Sequence, residues 1–287
     1  MARDAKYDNK SYWVQLHKEY SGQLRAVGFP WLSEEFNELK YKSEAASLIS
    51  VLETVRKQHS GSNHLSILEA GAGTGYWIKF LGGYFKEQGY SVESVALDIS
   101  ESALENIKAT FPECKVVKID LKSVDAESAA ESYDIVYSFY CLHHLVNIDD
   151  FLNGLHFLAR SVKRGGHLLI MDPMLSLSYS PYHAVDFASW DKNGLPRPRH
   201  ILDDVLQREG FEQVSFVPAV SYLLNGNIEA QSKIMFLLHR RIWISLCHLY
   251  RSASLTKMFG RIVFYADAIL KKRKKAFSSS LLVHRRK

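Results

Sequence analysis

Two adjacent histidines, His143 and His144, close the run Tyr133-Asp-Ile-Val-Tyr-Ser-Phe-Tyr-Cys-Leu-His-His-Leu145. An imidazole titrates near neutrality, so either ring suits removal of a proton from a hydroxyl acceptor. Asp172, just after the apolar run His167–Met171, is a carboxylate that can orient a histidine or bind an acceptor. His183 and His200 flank a Pro- and Tyr-rich loop that could bring them to the same place. A second group is built from glycine: Ile67-Leu-Glu-Ala-Gly-Ala-Gly-Thr-Gly75 sets Gly71, Gly73 and Gly75 at alternate positions after Glu69. Glycine lets a chain turn tightly and approach a ligand without Cβ clashes, and N–H groups at a helix start can hold a carboxylate. Asp98 ends an apolar run 23 residues beyond Gly75, where an acid can accept hydrogen bonds from both hydroxyls of a ribose. Asp120 ends the next one.

The elements that must position these groups alternate. Strands are expected at Leu65–Ala70, Ser91–Asp98, Lys115–Ile119, Tyr133–Phe139 and His167–Met171. Helices are expected at Gly75–Glu87, Ser100–Thr110 and Ile148–Val162. The strands are short and almost continuously apolar, as strands covered on both faces are. That rhythm predicts an α/β, doubly wound, mostly parallel sheet with helices on both faces. A helix over Arg199–Arg208, a sixth strand at Phe211–Val217 and a short final strand at Ser279–Arg285 follow. Residues 1–60 read as helical, with Tyr12, Trp13, Leu16 and Tyr20 on one apolar face and Ala45, Leu48, Ile49, Leu52 and Val55 on another.

The spacing Glu69-x-Gly71-x-Gly73-x-Gly75 differs from the dinucleotide pattern GxGxxG. With Asp98 and Asp120 it resembles the first motifs of the Rossmann-like class I S-adenosylmethionine-dependent methyltransferases. The segment ending Leu142-His-His144 resembles the fourth strand of the small-molecule members, and Arg164-Gly-Gly-His-Leu-Leu-Ile-Met-Asp172 resembles their fifth-strand turn. The likeness covers residues 65–217 and implies S-adenosylmethionine as cofactor and S-adenosylhomocysteine as product. It implies that Glu69, Gly71, Ala72, Gly73, Gly75, Asp98, Ile99, Asp120, Leu121, Ser138 and Phe139 surround that cofactor, Asp120 taking the adenine amino group. It also implies seven strands, the last antiparallel, so that a helical insertion here separates strands six and seven. A dehydrogenase would need GxGxxG and a catalytic Tyr-Lys or Ser set, which is missing. The Asn/Asp-Pro-Pro-Tyr/Phe of amide- and amino-methylating enzymes is replaced by Ser138-Phe-Tyr-Cys, which disfavours nucleobase or glutamine N-methylation.

The expected reaction is O-methylation of a small-molecule or sugar hydroxyl, with His143 or His144 as base and Asp172 assisting. The alternatives are C- or O-methylation of a quinone or polyketide, and a catalytically silent S-adenosylmethionine-binding module. Tyr12, Trp13, Trp31, Tyr41 and Tyr140 are candidates for a lid and acceptor wall. The amino-terminal stretch with Tyr12, Trp13, His17, Asn37 and Tyr41 is similar to bacterial methyltransferases associated with surface glycans. The expected division is a helical cap over 1–60, a cofactor core over 61–217, a basic and aromatic insertion over 218–278 and a final core strand over 279–287.

From Arg240 onward there are 13 lysines and arginines against one acid, Asp267. Helices from Ile234–Lys275 would have an apolar and a basic face. Three readings stay open: peripheral contact with an anionic membrane, an anionic ligand, or a helical subdomain or homodimer contact. Nucleic acid is disfavoured because no binding module is recognisable. The charged start MARDAKYDNK and the absence of a long apolar run predict a cytoplasmic protein, soluble or peripheral at the membrane. Cys114, Cys141 and Cys247 lie far apart without metal-ligand spacing, so free thiols and no metal site are expected.

Overall fold

The computed structural model describes residues 8–28, 30, 34–59, 63–175, 194–220, 241, 245 and 277–287. Trp31, His183, Cys247 and nearly all of the basic insertion lie outside these residues.

The first five strands are β1 (His64–Ala70), β2 (Ser91–Asp98), β3 (Lys115–Lys118), β4 (Tyr133–Phe139) and β5 (Val162–Leu175), followed by β6 (Arg197–Pro198), β7 (Phe211–Val220) and β8 (Phe277–Arg286). The helices are α1 (Asn9–Glu19), α2 (Glu34–Gln58), α3 (Tyr76–Glu87), α4 (Glu101–Thr110), α5 (Ile148–Ser161) and α6 (Arg199–Arg208). The sheet order is β3-β2-β1-β4-β5-β8-β7, with β6 pairing beside β5. Strands β1 to β5 are parallel, and β8 runs antiparallel between β5 and β7. The α/β class and the antiparallel closing strand are as expected. The count is not: the described residues form eight strands, because Arg197–Pro198 pairs with Met174–Leu175. A two-residue pairing carries no alternation to read, and a proline inside it argues against a strand.

The core lies on both faces of the sheet. Leu65, Ile67, Ile135 and Leu169 pack towards α2 and α3, while Leu68, Val136, Leu168 and Ile170 pack towards α5 and α6. This side-to-side alternation gives fully apolar strands when each face has a helix layer. Leu48 and Leu52 of α2 are completely buried in the first of these clusters. Helix α2 is therefore a layer of the sheet core. Helix α1 is capped by Asp8, whose carboxylate accepts from the Ser11 N–H at 2.9 Å. In β8, Leu281, Leu282 and Val283 are consecutive and all buried, which places that strand inside the sheet.

Candidate active site

Between β1 and α3 the chain makes the glycine turn. Gly71, Gly73 and Gly75 all have positive φ (77°, 53° and 77°), a region closed to most side chains. The N–H groups of Gly71 and Ala72 donate to the Leu97 carbonyl at 2.9 and 3.0 Å, tying the turn to the end of β2. A Cβ at Gly71 would stand 2.6 Å from the Cys141 side chain, and one at Gly73 would stand 2.4 Å from Val27 Cγ1. The turn is thus fixed both by its own conformation and by its neighbours.

Asp98 sits opposite this turn. Its Oδ2 accepts from the Gly73 N–H and its Oδ1 from the Ser100 N–H, both at 2.8 Å. A carboxylate has about four acceptor sites, so two amides leave capacity for hydroxyl donors. The ends of β2 and β3 add Ile99, Ile119, Asp120 and Leu121 to the wall of one cavity with about 840 Å³ of open space. Gly71, Ala72, Gly73, Asp98 and Phe139 line the same cavity. A glycine cradle, a strand-end acid and an apolar slot with a second acid match the chemistry of S-adenosylmethionine: a carboxylate, a ribose diol and an adenine ring.

Three residues expected around the cofactor are not among those lining the cavity. Glu69 lies behind the turn, accepting from the Tyr137 hydroxyl at 3.3 Å, and burial pushes its carboxyl well above the usual range. Ser138 is buried within β4. Gly75 starts α3, its N–H donating to the Ala72 carbonyl at 2.8 Å. Strand alternation sends Phe139 towards α3 instead, where it meets Trp77 edge-on at 5.4 Å.

The two histidines part company. Leu142–His144 is a short 3₁₀ turn after β4. Only His144 of the pair lines the large cavity; its ring packs on Trp13 at 4.7 Å and on His143 at 3.9 Å. His143 turns towards Asp172, with its Nδ1 2.7 Å from Asp172 Oδ1 and its backbone N–H donating to Oδ2 at 3.2 Å. These two residues line a smaller cavity with Arg197. Burial pushes Asp172 up to about 8 and His143 down to about 3, the latter helped by the nearby Arg197 and Lys40 charges. Near neutral pH the pair is therefore uncharged and shares one proton. Arg197 is itself buried, donating to the Leu145 and Val146 carbonyls at 2.6 and 3.0 Å and lying 4.0 Å over the Phe151 ring. It pins the backbone that follows the histidine turn.

Of the expected lid residues, Trp13, Tyr41 and Tyr140 line the cavity, whereas Tyr12 packs edge-on against Trp13 at 5.1 Å without lining it. His200 is exposed at the start of α6, away from the cavity wall. Sequence reading missed Asn9, His17 and Val27 on the amino-terminal side and Tyr76 and Trp77 on α3. His17 follows Trp13 by four positions and so shares its helix face, a signal that could have been used. Burial lowers the pKa of the His17 imidazole, against the opposing pull of Asp98. Arg197 offered no local signal at all. Among the described residues, no group of three or more His, Cys, Asp or Glu is placed to hold a metal ion. No described helix is long and apolar enough to cross a membrane.

Comparison with known proteins agrees with this architecture. A family model described as a methyltransferase domain matches residues 32–215. The fold is similar to that of a candidate sarcosine dimethylglycine methyltransferase from Galdieria sulphuraria, at 14% identity over 97% of this chain and 98% of that one, with a TM-score of 0.54. Two fungal proteins match part of the chain. The non-reducing polyketide synthase Preu3 of Preussia isomera is 27% identical over 111 residues, 38% of this chain. The highly reducing polyketide synthase sthA of Phaeosphaeria nodorum is 33% identical over 124 residues, 40% of this chain. The matched stretch is 4% of the length of either synthase. With the family model covering most of the chain and the class I sheet order in place, the chain belongs to the methyltransferase-domain family and is a class I S-adenosylmethionine-dependent methyltransferase.

Proposed function

We propose that the protein methylates a hydroxyl of a small-molecule or sugar acceptor, with His144 as general base. The observation that carries this reading is that His144 lines the same cavity as Gly71, Gly73 and Asp98. S-adenosylmethionine, when bound, would supply an electrophilic methyl carbon on a sulfonium, open to in-line attack by an acceptor oxygen, with the thioether S-adenosylhomocysteine as leaving group. In this reading the backbone of Gly71–Gly73 holds the methionine carboxylate, Asp98 the ribose and Asp120 the adenine amino group, with Ile99 and Leu121 against the ring. His144 takes the hydroxyl proton, and its packing between Trp13 and His143 fixes the direction of its ring. Such positioning supplies most of what methyl transfer needs from a protein, and a placed base adds about 10²–10⁴-fold.

The test is methyl transfer from tritiated S-adenosylmethionine to a panel of phenols, sugars and quinones, comparing wild type with His144→Ala. Transfer to a hydroxyl that falls about 100-fold in the variant, with S-adenosylhomocysteine binding intact, supports the proposal. Equal turnover by both proteins sinks it. A second reading, methylation of a polyketide at carbon or oxygen, is favoured by the two polyketide synthase relatives. Proton NMR of the product separates a C-methyl from an O-methyl group.

A further inference from the structure

A buried ion pair stands behind the cavity wall, outside every role assigned so far. Lys40 Nζ and Glu44 Oε1, one turn apart on α2, lie 2.7 Å apart with side chains only 5% and 0% exposed. The Tyr140 hydroxyl donates to the same Glu44 oxygen at 2.6 Å, and Lys40 Nζ sits 4.1 Å over the Tyr140 ring. Tyr140 thus receives a hydrogen-bond acceptor at its tip and a cation over its face from a single helical turn.

Tyr140 is also where the backbone departs from ordinary geometry. Its φ is +56°, and among the described residues no other non-glycine has a positive φ. A bulky side chain there is strained and persists only where its surroundings over-determine it. Its surroundings do so: its N–H donates to the Met171 carbonyl at 2.7 Å, and its side chain is gripped by α2. The residue follows β4 directly, precedes Cys141 and the histidine turn, and lines the large cavity. A buried ion pair does little for stability relative to apolar residues of the same volume. Its presence behind a strained wall residue therefore asks for another use.

We propose that Lys40 and Glu44 are positioning residues, whose ion pair holds Tyr140 in its left-handed conformation and so sets the shape of the cavity at the end of β4. The inference rests on the reading that this cavity binds the cofactor. It also links α2 mechanically to the strand end from which the histidine turn departs.

The test needs no acceptor. Affinity for S-adenosylhomocysteine is measured calorimetrically in the whole protein for wild type, Lys40→Met/Glu44→Leu, Tyr140→Phe and the triple variant, alongside thermal midpoints. Removing both charges together leaves no unpaired buried ion, and the thermal midpoint reads whether the double variant is folded. Leu158→Ala, on the opposite face of the sheet, serves as a control for general destabilisation. The expected result is an affinity about 10-fold weaker in the double variant, with the control unchanged. Tyr140→Phe should add little once the pair is gone, since groups in one network are non-additive. A crystal structure of the double variant should show Tyr140 at negative φ. Wild-type affinity in the double variant overturns the inference, as does an effect matched by Leu158→Ala or one additive with Tyr140→Phe. Failure of the wild type to bind S-adenosylhomocysteine overturns the cavity assignment itself, and the inference with it.

Discussion

The two sides of the cavity are built differently. One side is backbone: the glycine turn and the ends of β2 and β3, with Asp98 fastened between them by two amides. The other is side chain: Trp13 from α1, Tyr41 from α2, Tyr140 and His144 from the segment after β4. The first side is rigid because its geometry follows from contiguous strand–turn–helix units. The second depends on rings from distant parts of the chain meeting, and its conformation is set by contacts such as Trp13 on His144 and Glu44 on Tyr140. A backbone site suits an invariant cofactor, and a side-chain site suits an acceptor that can change while the fold stays.

The comparison breaks most visibly at the backbone side. Gly71→Ala must place a Cβ 2.6 Å from Cys141 at a φ of 77°. Loss of S-adenosylhomocysteine binding by about 30-fold or more, or loss of the folded protein, is expected, because strain and overlap each cost about 1–3 kcal/mol. Calorimetry and a thermal melt would check this, and a fully active variant would show that the turn is not tight. On the side-chain side, His144→Ala should lower the rate of methyl transfer by about 100-fold while cofactor affinity stays within about twofold, and His143→Ala should act chiefly on stability. A larger rate loss in His143→Ala would exchange their roles.

Asp98→Ala removes the charge-assisted hydrogen bonds to the Gly73 amide of the turn and the Ser100 amide before α4 and, in the proposed binding mode, the ribose partner. Cofactor affinity is expected to fall by roughly 50-fold, with little change in the transfer rate at saturation. An unchanged dissociation constant would place the ribose elsewhere.

The smallest effect concerns proton uptake by His143 and Asp172. In the folded protein the pair keeps one proton up to about pH 8, because burial pushes Asp172 up to about 8 while His143 stays neutral. In the unfolded chain that proton sits on the imidazole and leaves near pH 6.5. The native state therefore binds more protons between these values, so stability falls as pH rises through this window, by roughly 1–2 kcal/mol. Denaturant melts at pH 6.5 and 8 would measure the slope. Asp172→Asn should abolish it, and an equal slope in that variant would assign the proton to another group.

Much of the backbone side was legible in the sequence. Ile67–Gly75, Asp98 and Asp120 each carry their meaning locally, through residue type, strand-end position and spacing. Glu69 and Ser138 do not line the cavity: Glu69 is buried behind the turn against Tyr137, and Ser138 lies on the face of β4 opposite Phe139. The same local logic erred for β6, a pairing too short to have a pattern. Adjacent histidines gave one signal for two roles, since nothing in Leu142-His-His144 tells which ring a 3₁₀ turn will aim at Asp172 and which at Trp13.

The sequence by itself determined the α/β class, the parallel strands implied by alternating elements, and the meeting of the glycine turn with the strand-end acids on one cavity wall, because these depend on backbone preferences and on the period of apolar residues. Only the tertiary structure decided that α2 is a layer of the core, that Arg197 pins the backbone after the histidine turn, that His144 and not His143 faces the cavity, and that Lys40 and Glu44 grip Tyr140. Those are encounters between residues far apart in the chain, such as Arg197 with Leu145, 52 positions apart, and Tyr140 with Glu44, 96 apart. Their distances follow from how helices pack on the sheet, and no local propensity encodes them.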